Sequence, residues 1–384
     1  MKKNELFFLS QDGKTNIHMV IWEPEDKIYG VIQLVHGVTE HIMRYEEFAS
    51  YLNKGGIAVV GIDLIGHGLS TDNGNKKMYF GPEGSWRTVL GDINTCFERT
   101  KELFPDVPYI MLGFSMGSFF VRNYIIDYPN NVDGSILVGT GYMNKFILKY
   151  ARKIALKEIK KYGESSITPK VNKFVFGLNN KYFKPNRTNY DWLCANNIEL
   201  DNFISDPLRG DGVTCGLFRE LIDGMLYTSS IDNIRKMNIF KPILVISGKD
   251  DAVGNFGKDI GKYINLIKKV GIQNVSLRLY DGMRHDVFHE EDRYKVFDDI
   301  YGWLHQYLLR SVPVMEDEIS LDGVKANEDR YERALEKSSN TSSMVKESII
   351  VQDLLKQQQD TLNRDEDNND IQNHLESDDN TKVS

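Results

Sequence analysis

Short, nearly unbroken apolar runs alternate along this chain with longer amphipathic ones. "YGVIQLVHG", "IAVVGIDLIGHG", "PYIMLGF", "DGSILVGTG", "KPILVISGKDD" and "VSLRLYDG" read as strands. Between them "RYEEFASYLNKGG", "SWRTVLGDINTCFERTKELF", the run after Ser115, "FGKDIGKYINLIKKVG" and "RYKVFDDIYGWLHQYLLR" read as helices. Strands that are apolar on both faces must be covered on both faces, so the pattern predicts an α/β architecture with a mostly parallel central sheet. Ahead of it, "ELFFLSQDGKTNIHMVIWEP" predicts a hairpin turning at Asp12-Gly13.

The alternation stops between about Thr140 and Met237, where helical and loop-like segments follow one another without clear strands. The expected organisation is a core in two parts, 1–139 and 238–312, with a helical insertion over 140–237 that would form a lid. Residues 313–384 are polar, acidic and rich in asparagine, a composition too poor in apolar residues to build a core, and are expected to be largely disordered.

Charge sharpens that division. The chain of 384 residues has a formal net charge of −8, but the tail from Pro313 holds 18 acidic against 8 basic residues, leaving the body near neutrality. Such a body offers no basic field for nucleic acid, and none is expected as a partner. Three dispersed cysteines (Cys96, Cys194, Cys215) without a CxxC pair argue against a disulfide framework or a zinc site and suit a reducing compartment. The apolar patch after the first lysines is too short for a signal peptide, and no run approaches a membrane span, so a cytoplasmic location is expected.

Candidate chemistry begins at "MLGFSMGSFF". A strand ending in G-x-S-x-G and opening directly into a helix is a nucleophile elbow: the glycines let strand and helix approach, and Ser115 is left at a helix N-terminus where free backbone N–H groups can stabilise negative charge. A serine needs a base, and the base needs an orienting acid. His285, in the loop after "VSLRLYDG", is the predicted base. His289 is assigned to packing or capping, and His67 in "GHG", which precedes the serine, to structure. For the acid, Asp250 and Asp251 stand side by side after "LVISGK", and Asp250 is favoured. Both loops follow strands, at the sheet edge where such folds build active sites. Two backbone N–H groups, from Met116 and from Val38 after "VIQLVHG", are the predicted oxyanion hole.

These motifs together resemble the monoacylglycerol lipase and lysophospholipase group of α/β hydrolases, particularly its bacterial members. "HGVTEHIMRY" is similar to HGxxEHxxRY, "DLIGHGLS" to D-x-x-GHG-x-S, "GFSMGS" to the GxSMG elbow and "MRHDVFHE" to MRHExxNE. "RTNYDWL" followed by "DNFISDP" resembles the group's lid pattern. The likeness spans about residues 1–310. It implies the α/β-hydrolase fold and ester hydrolysis of single-chain lipids by Ser115, Asp250 and His285 through an acyl-enzyme, with no metal or organic cofactor. Thr39, Phe114 and Ser118 depart from the usual glycine, histidine and glycine, and of these Thr39 and Phe114 bear on the expected acyl entrance.

The start of the insertion adds a membrane expectation. "YMNKFILKYARKIALKEIKKYG" sets Phe146, Ile147, Tyr150, Ile154 and Ile159 at roughly helical spacing among six lysines and an arginine, a basic amphipathic helix suited to peripheral contact with an anionic membrane. The alternative, that its apolar side packs on the core and the lysines are merely solvated, is favoured. The rivals to a lipid ester hydrolase are a short-chain carboxylesterase, a thioesterase or a proline iminopeptidase of the same fold, and, outside enzymes, a catalytically silent binding module. Nothing in the sequence sets an oligomeric state.

Overall fold

The computed structural model describes residues 1–71, 77–177 and 179–308; the expectation for 313–384 lies outside them. Eight strands form one sheet in the order β1-β2-β4-β3-β5-β6-β7-β8. The hairpin β1 (Lys2–Leu9) and β2 (Asn16–Glu23) pairs antiparallel and adds to β4 (Ile57–Ile62). From β4 the sheet runs parallel through β3 (Gly30–Val35), β5 (Tyr109–Phe114), β6 (Gly134–Val138), β7 (Ile243–Gly248) and β8 (Val275–Tyr280).

Every residue of β3 to β7 is buried, as the unbroken apolar runs require, and alternate side chains serve opposite layers. Val31, Val60, Met111, Leu137 and Val245 pack on one side with α2 (Trp86–Leu103), α3 (Met116–Asp127) and α9 (Lys258–Lys268). Ile32, Val59, Leu112, Ile136 and Leu244 pack on the other with α1 (Glu46–Lys54) and α10 (Arg293–Tyr307). Each such side chain contributes about 1.5–3 kcal/mol on burial. The helices and hairpin read from the sequence are present with boundaries shifted by a few residues.

Between Val138 and Ile243 the chain leaves the sheet and forms α4 (Lys145–Tyr162), α5 (Pro169–Asn172), α6 (Asn197–Ser205), α7 (Cys215–Thr228) and α8 (Ile231–Ile234). The buried side of α4 differs from the expected one: Leu148, Ala151, Ile154, Ala155 and Glu158 face inward, while Phe146 is 81% exposed. The cause is packing along α7, which the small side chains of Ala151 and Ala155 permit, aided by Arg152 donating to Asp223 of α7 at 2.6 Å. Lys145, Lys149, Lys153, Lys157 and Lys160 remain exposed. Among the described residues no helix is long and apolar enough to cross a membrane.

Candidate active site

The site forms where β3, β5, β7 and β8 end. Ser115 occupies the single-residue step from β5 to α3 with φ 50° and ψ −116°, a backbone shape that costs a residue with a Cβ on the order of 1–3 kcal/mol. The neighbouring glycines make it attainable. A Cβ on Gly113 would collide with the carbonyl of Gly117, and one on Gly117 with the carbonyl of Val35.

His285, in the loop between β8 and α10, is 1% exposed, and its Nε2 lies 2.9 Å from Ser115 Oγ. Its Nδ1 lies 3.0 Å from Asp251 Oδ1. A carboxylate only accepts, so Nδ1 carries the proton and Nε2 accepts from the serine hydroxyl, the tautomer a general base needs. Asp250, expected as the acid, is not in this line: its side chain is exposed, and only its N–H reaches the histidine loop, donating to the Met283 carbonyl at 3.0 Å. Asp251 takes the place because it is fully buried and doubly held, by the Ser247 hydroxyl at 2.8 Å and the Val253 N–H at 2.8 Å. No apolar periodicity extends past Gly248 into this turn, so the pattern could not say which of two adjacent carboxylates points inward.

Burial pushes the Asp251 carboxyl up, but the adjacent imidazole and the Ser247 and Val253 donors outweigh it and hold the group below the ordinary carboxylate range. Burial likewise pushes His285 down, and the charge and hydrogen bond of Asp251, with Asp286 and Glu40 behind, carry it above its ordinary value. The imidazole is therefore a stronger base than a free histidine.

The loop after β3 carries Val38, and Thr39 follows at φ 62°. Buried Glu40 shapes this loop: it accepts from the Gly37 N–H, from the Tyr45 hydroxyl at 2.8 Å and from Arg44. Arg44 also donates to Asp286 at 3.0 Å, and Asp286 accepts from His289 Nδ1 at 2.9 Å. Although burial raises it, Asp286 is held far below the carboxylate range by His289 and Arg44. A buried ionic chain thus joins the loop after β3 to the histidine loop, and it gives His289 the structural place expected of it. Met116 is the first residue of α3, where a backbone N–H has no intrahelical acceptor. His67 packs its ring 5.1 Å from His36 and is buried, with its pKa pushed down to about 3, chiefly by burial.

Three further residues were not singled out from the sequence. Arg284 donates to the carbonyls of Asp191 and Cys194, Glu290 accepts from the Ala195 N–H at 3.0 Å, and Trp192 sets its ring 5.3 Å from that of His285. Their only signal was membership of "DWL" and "MRHDVFHE", which mark a resemblance but not a contact. Over Ser115 the structure leaves a cavity of about 20 Å³, lined by Val38, Phe114, Phe176, Tyr190, Trp192 and His285 among others. That is room for about one water. A wider polar depression of about 550 Å³, bordered by Glu25, Tyr29, Lys54 and Tyr301, includes none of Ser115, Asp251 and His285.

The Hydrolase_4 family model, described as serine aminopeptidase S33, matches residues 26–292. A monoacylglycerol lipase of Mycolicibacterium smegmatis is 26% identical over 298 residues, 77% of this chain and 95% of that protein. Phospholipase YtpA of Bacillus subtilis is 23% identical over 74% of this chain and 98% of its own length. Among solved structures, a thermostable carboxyl esterase from Bacillus coagulans, in complex with glycerol, superposes with a TM-score of 0.74 at 26% identity, covering 80% of this chain and 99% of that one. With a matched segment that spans the elbow, Asp251 and His285, the chain belongs to the Hydrolase_4 family and is an ester hydrolase of the α/β-hydrolase fold, similar to the monoacylglycerol lipases.

Proposed function

We propose that the protein hydrolyses single-chain lipid esters, a monoacylglycerol or a lysophospholipid, through an acyl-enzyme on Ser115. The observation that carries this reading is the hydrogen-bonded line Ser115–His285–Asp251, at 2.9 Å and 3.0 Å, beneath a mostly apolar cavity wall. His285 takes the serine proton as Oγ attacks the ester carbonyl, then returns it to the departing alcohol. Asp251 keeps the imidazole in the productive tautomer and stabilises its charged form. The N–H groups of Val38 and Met116 hold the oxyanion, each worth about a hundredfold or more in rate. Water, activated by the same imidazole, then releases the fatty acid.

Phe114, Phe176, Trp192 and Phe203 give the cavity the surface an acyl chain requires, and the named relatives include a monoacylglycerol lipase and a phospholipase. An amine substrate is less well served. The one carboxylate among the described lining residues, Glu40, is already engaged by Arg44, Tyr45 and the Gly37 N–H. The likeness to the carboxyl esterase keeps a short-chain ester as the second reading.

The test is fatty-acid release from a monoacylglycerol beside the matching lysophospholipid, with Ser115→Ala as control. Release from either that vanishes in the variant supports the proposal. Cleavage of a short water-soluble ester alone would replace it with the carboxylesterase reading, and failure of a fluorophosphonate to label Ser115 would leave a silent binding module.

A further inference from the structure

Trp192 belongs to the insertion, yet its backbone is fastened to the histidine loop on both sides. Next to it Asp191 offers its carbonyl to Arg284, Leu193 accepts from the Asp286 N–H at 2.7 Å, and the Ala195 N–H donates to Glu290. The Trp192 N–H itself donates to Asn180 Oδ1 at 3.0 Å. So held, the indole is 6% exposed and tilts against the catalytic imidazole, ring centroids 5.3 Å apart. Among the described residues lining the cavity, it is the only side chain with a buried polar atom left without a hydrogen-bond partner, its Nε1–H. Buried donors are normally paired, and one left open on a side chain that lines the cavity calls for an acceptor that arrives with the substrate.

Position says which part of the substrate that is. The acyl oxygen belongs to the oxyanion donors, whereas the leaving alcohol must meet His285 Nε2 to take its proton. A group resting on the imidazole borders that alcohol. Building on the lipid-ester reading above, we propose that Trp192 is a specificity-determining residue whose indole N–H donates to a hydroxyl of the leaving alcohol's head group, so that a polyol ester is favoured over an ester of a simple alcohol. A donor rigidly placed before substrate arrives discriminates better than a mobile one.

Trp192→Phe removes the N–H and keeps an aromatic ring against His285. The test compares kcat/KM of this variant and the unaltered protein on a 1-monoacylglycerol and on the methyl ester of the same fatty acid. Both esters give the same acyl-enzyme, so kcat/KM isolates the steps in which the alcohol is still present. The expected result is a loss of about three- to tenfold on the monoacylglycerol, with the methyl ester changed by less than about twofold. Equal loss on both esters, or loss on neither, overturns the proposal. An unaltered protein that cleaves the methyl ester but not the monoacylglycerol overturns the lipid reading as well, so the two failures are distinguishable.

Discussion

The backbone N–H of Asp286 donates to the carbonyl of Leu193 at 2.7 Å, joining the residue after the proposed base, His285, to the insertion. With Arg284 on Asp191 and Cys194, and Glu290 on Ala195, it makes residues 191–195 a fixed part of the histidine loop. On the lipid-ester proposal, opening the small cavity to an acyl chain would fall to other lining segments, such as Lys173–Gly177, which carries Phe176.

The two neighbouring aspartates should separate cleanly by mutation. Asp251→Asn is expected to lower kcat by about 10⁴, as loss of the orienting acid does in such triads. Asp250→Asn, at an exposed side chain, should stay within a few-fold of the unaltered protein. Ester turnover with a thermal melt on each variant checks this; a severe loss in Asp250→Asn alone would restore it as the acid.

Activity should depend on pH through His285. The base works neutral, and Asp251 raises its pKa above the ordinary 6.5, so kcat/KM should fall as pH drops through a midpoint above 6.5. A pH–rate profile on a soluble ester reads that midpoint, and one well below 6.5 would contradict the geometry.

Two other buried histidines should weaken the fold on the acid side. His67 is held down to about 3 and His36 is lowered by the same burial, so below pH 6.5 the unfolded chain binds protons that the folded one refuses. Their contribution is complete above 6.5 and declines as pH falls, by about 1.4 kcal/mol per pH unit for each proton refused. The lowered Asp251 and Asp286 add loss only below 3.8, as pH falls through their folded values. His285 and His18 are raised, so their contribution is complete below 6.5 and is lost as pH rises through their folded values. Burial also raises the carboxyls of Asp92, to about 6, and of Glu220, Glu290 and Asp299, whose contributions are likewise complete at low pH and lost as pH rises. The histidine effect is therefore read as a difference: from pH 7 to pH 4 the urea midpoint of the unaltered protein should fall relative to that of His67→Gln, and an unchanged gap would argue against a neutral buried His67.

Arg44 is the only cation bridging Glu40 to Asp286 among the described contacts, with 9% of its side chain exposed. Arg44→Ala leaves two buried carboxylates without it and should cost about 3–5 kcal/mol in urea unfolding. Arg44→Lys should recover little, because one ammonium cannot reproduce the two-pronged contact. A stable Arg44→Ala protein would show the chain of charges to be dispensable.

Membrane contact is tested at the exposed lysines of α4. Flotation with anionic vesicles at low salt, released as salt rises, would establish such contact. Replacing Lys145, Lys149 and Lys153 by glutamate should abolish flotation while leaving turnover of a soluble ester within about twofold. Absence of binding in the unaltered protein would leave these lysines as solvated surface.

Much of the site was legible because its signals are local. Gly113 and Gly117 announce a tight strand-to-helix step through backbone sterics that neighbours in sequence decide. Continuous apolar runs such as "YIMLGF" announce strands covered on both faces, and chain order places His285 after the last one. What remained hidden depended on direction and distance. Asp250 and Asp251 are chemically identical, and only the packing of the turn against Ser247 and Val253 sends one inward. For α4 the periodicity was clear, but its buried side was chosen by contact with α7, some seventy residues away. Trp192 read as one aromatic among many, since its stacking on His285 arises from bonds across about ninety residues of sequence.

The sequence by itself determined the sheet, the elbow, the serine and histidine that the fold brings together, and the kind of chemistry, because short-range sterics and hydrophobic periodicity encode them. Only the tertiary structure decided which carboxylate orients the base, which side of the insertion is covered and which indole borders the reacting pair. Those choices are made by long-range packing, where burial and hydrogen-bond partners select among residues that the linear chain presents as equals.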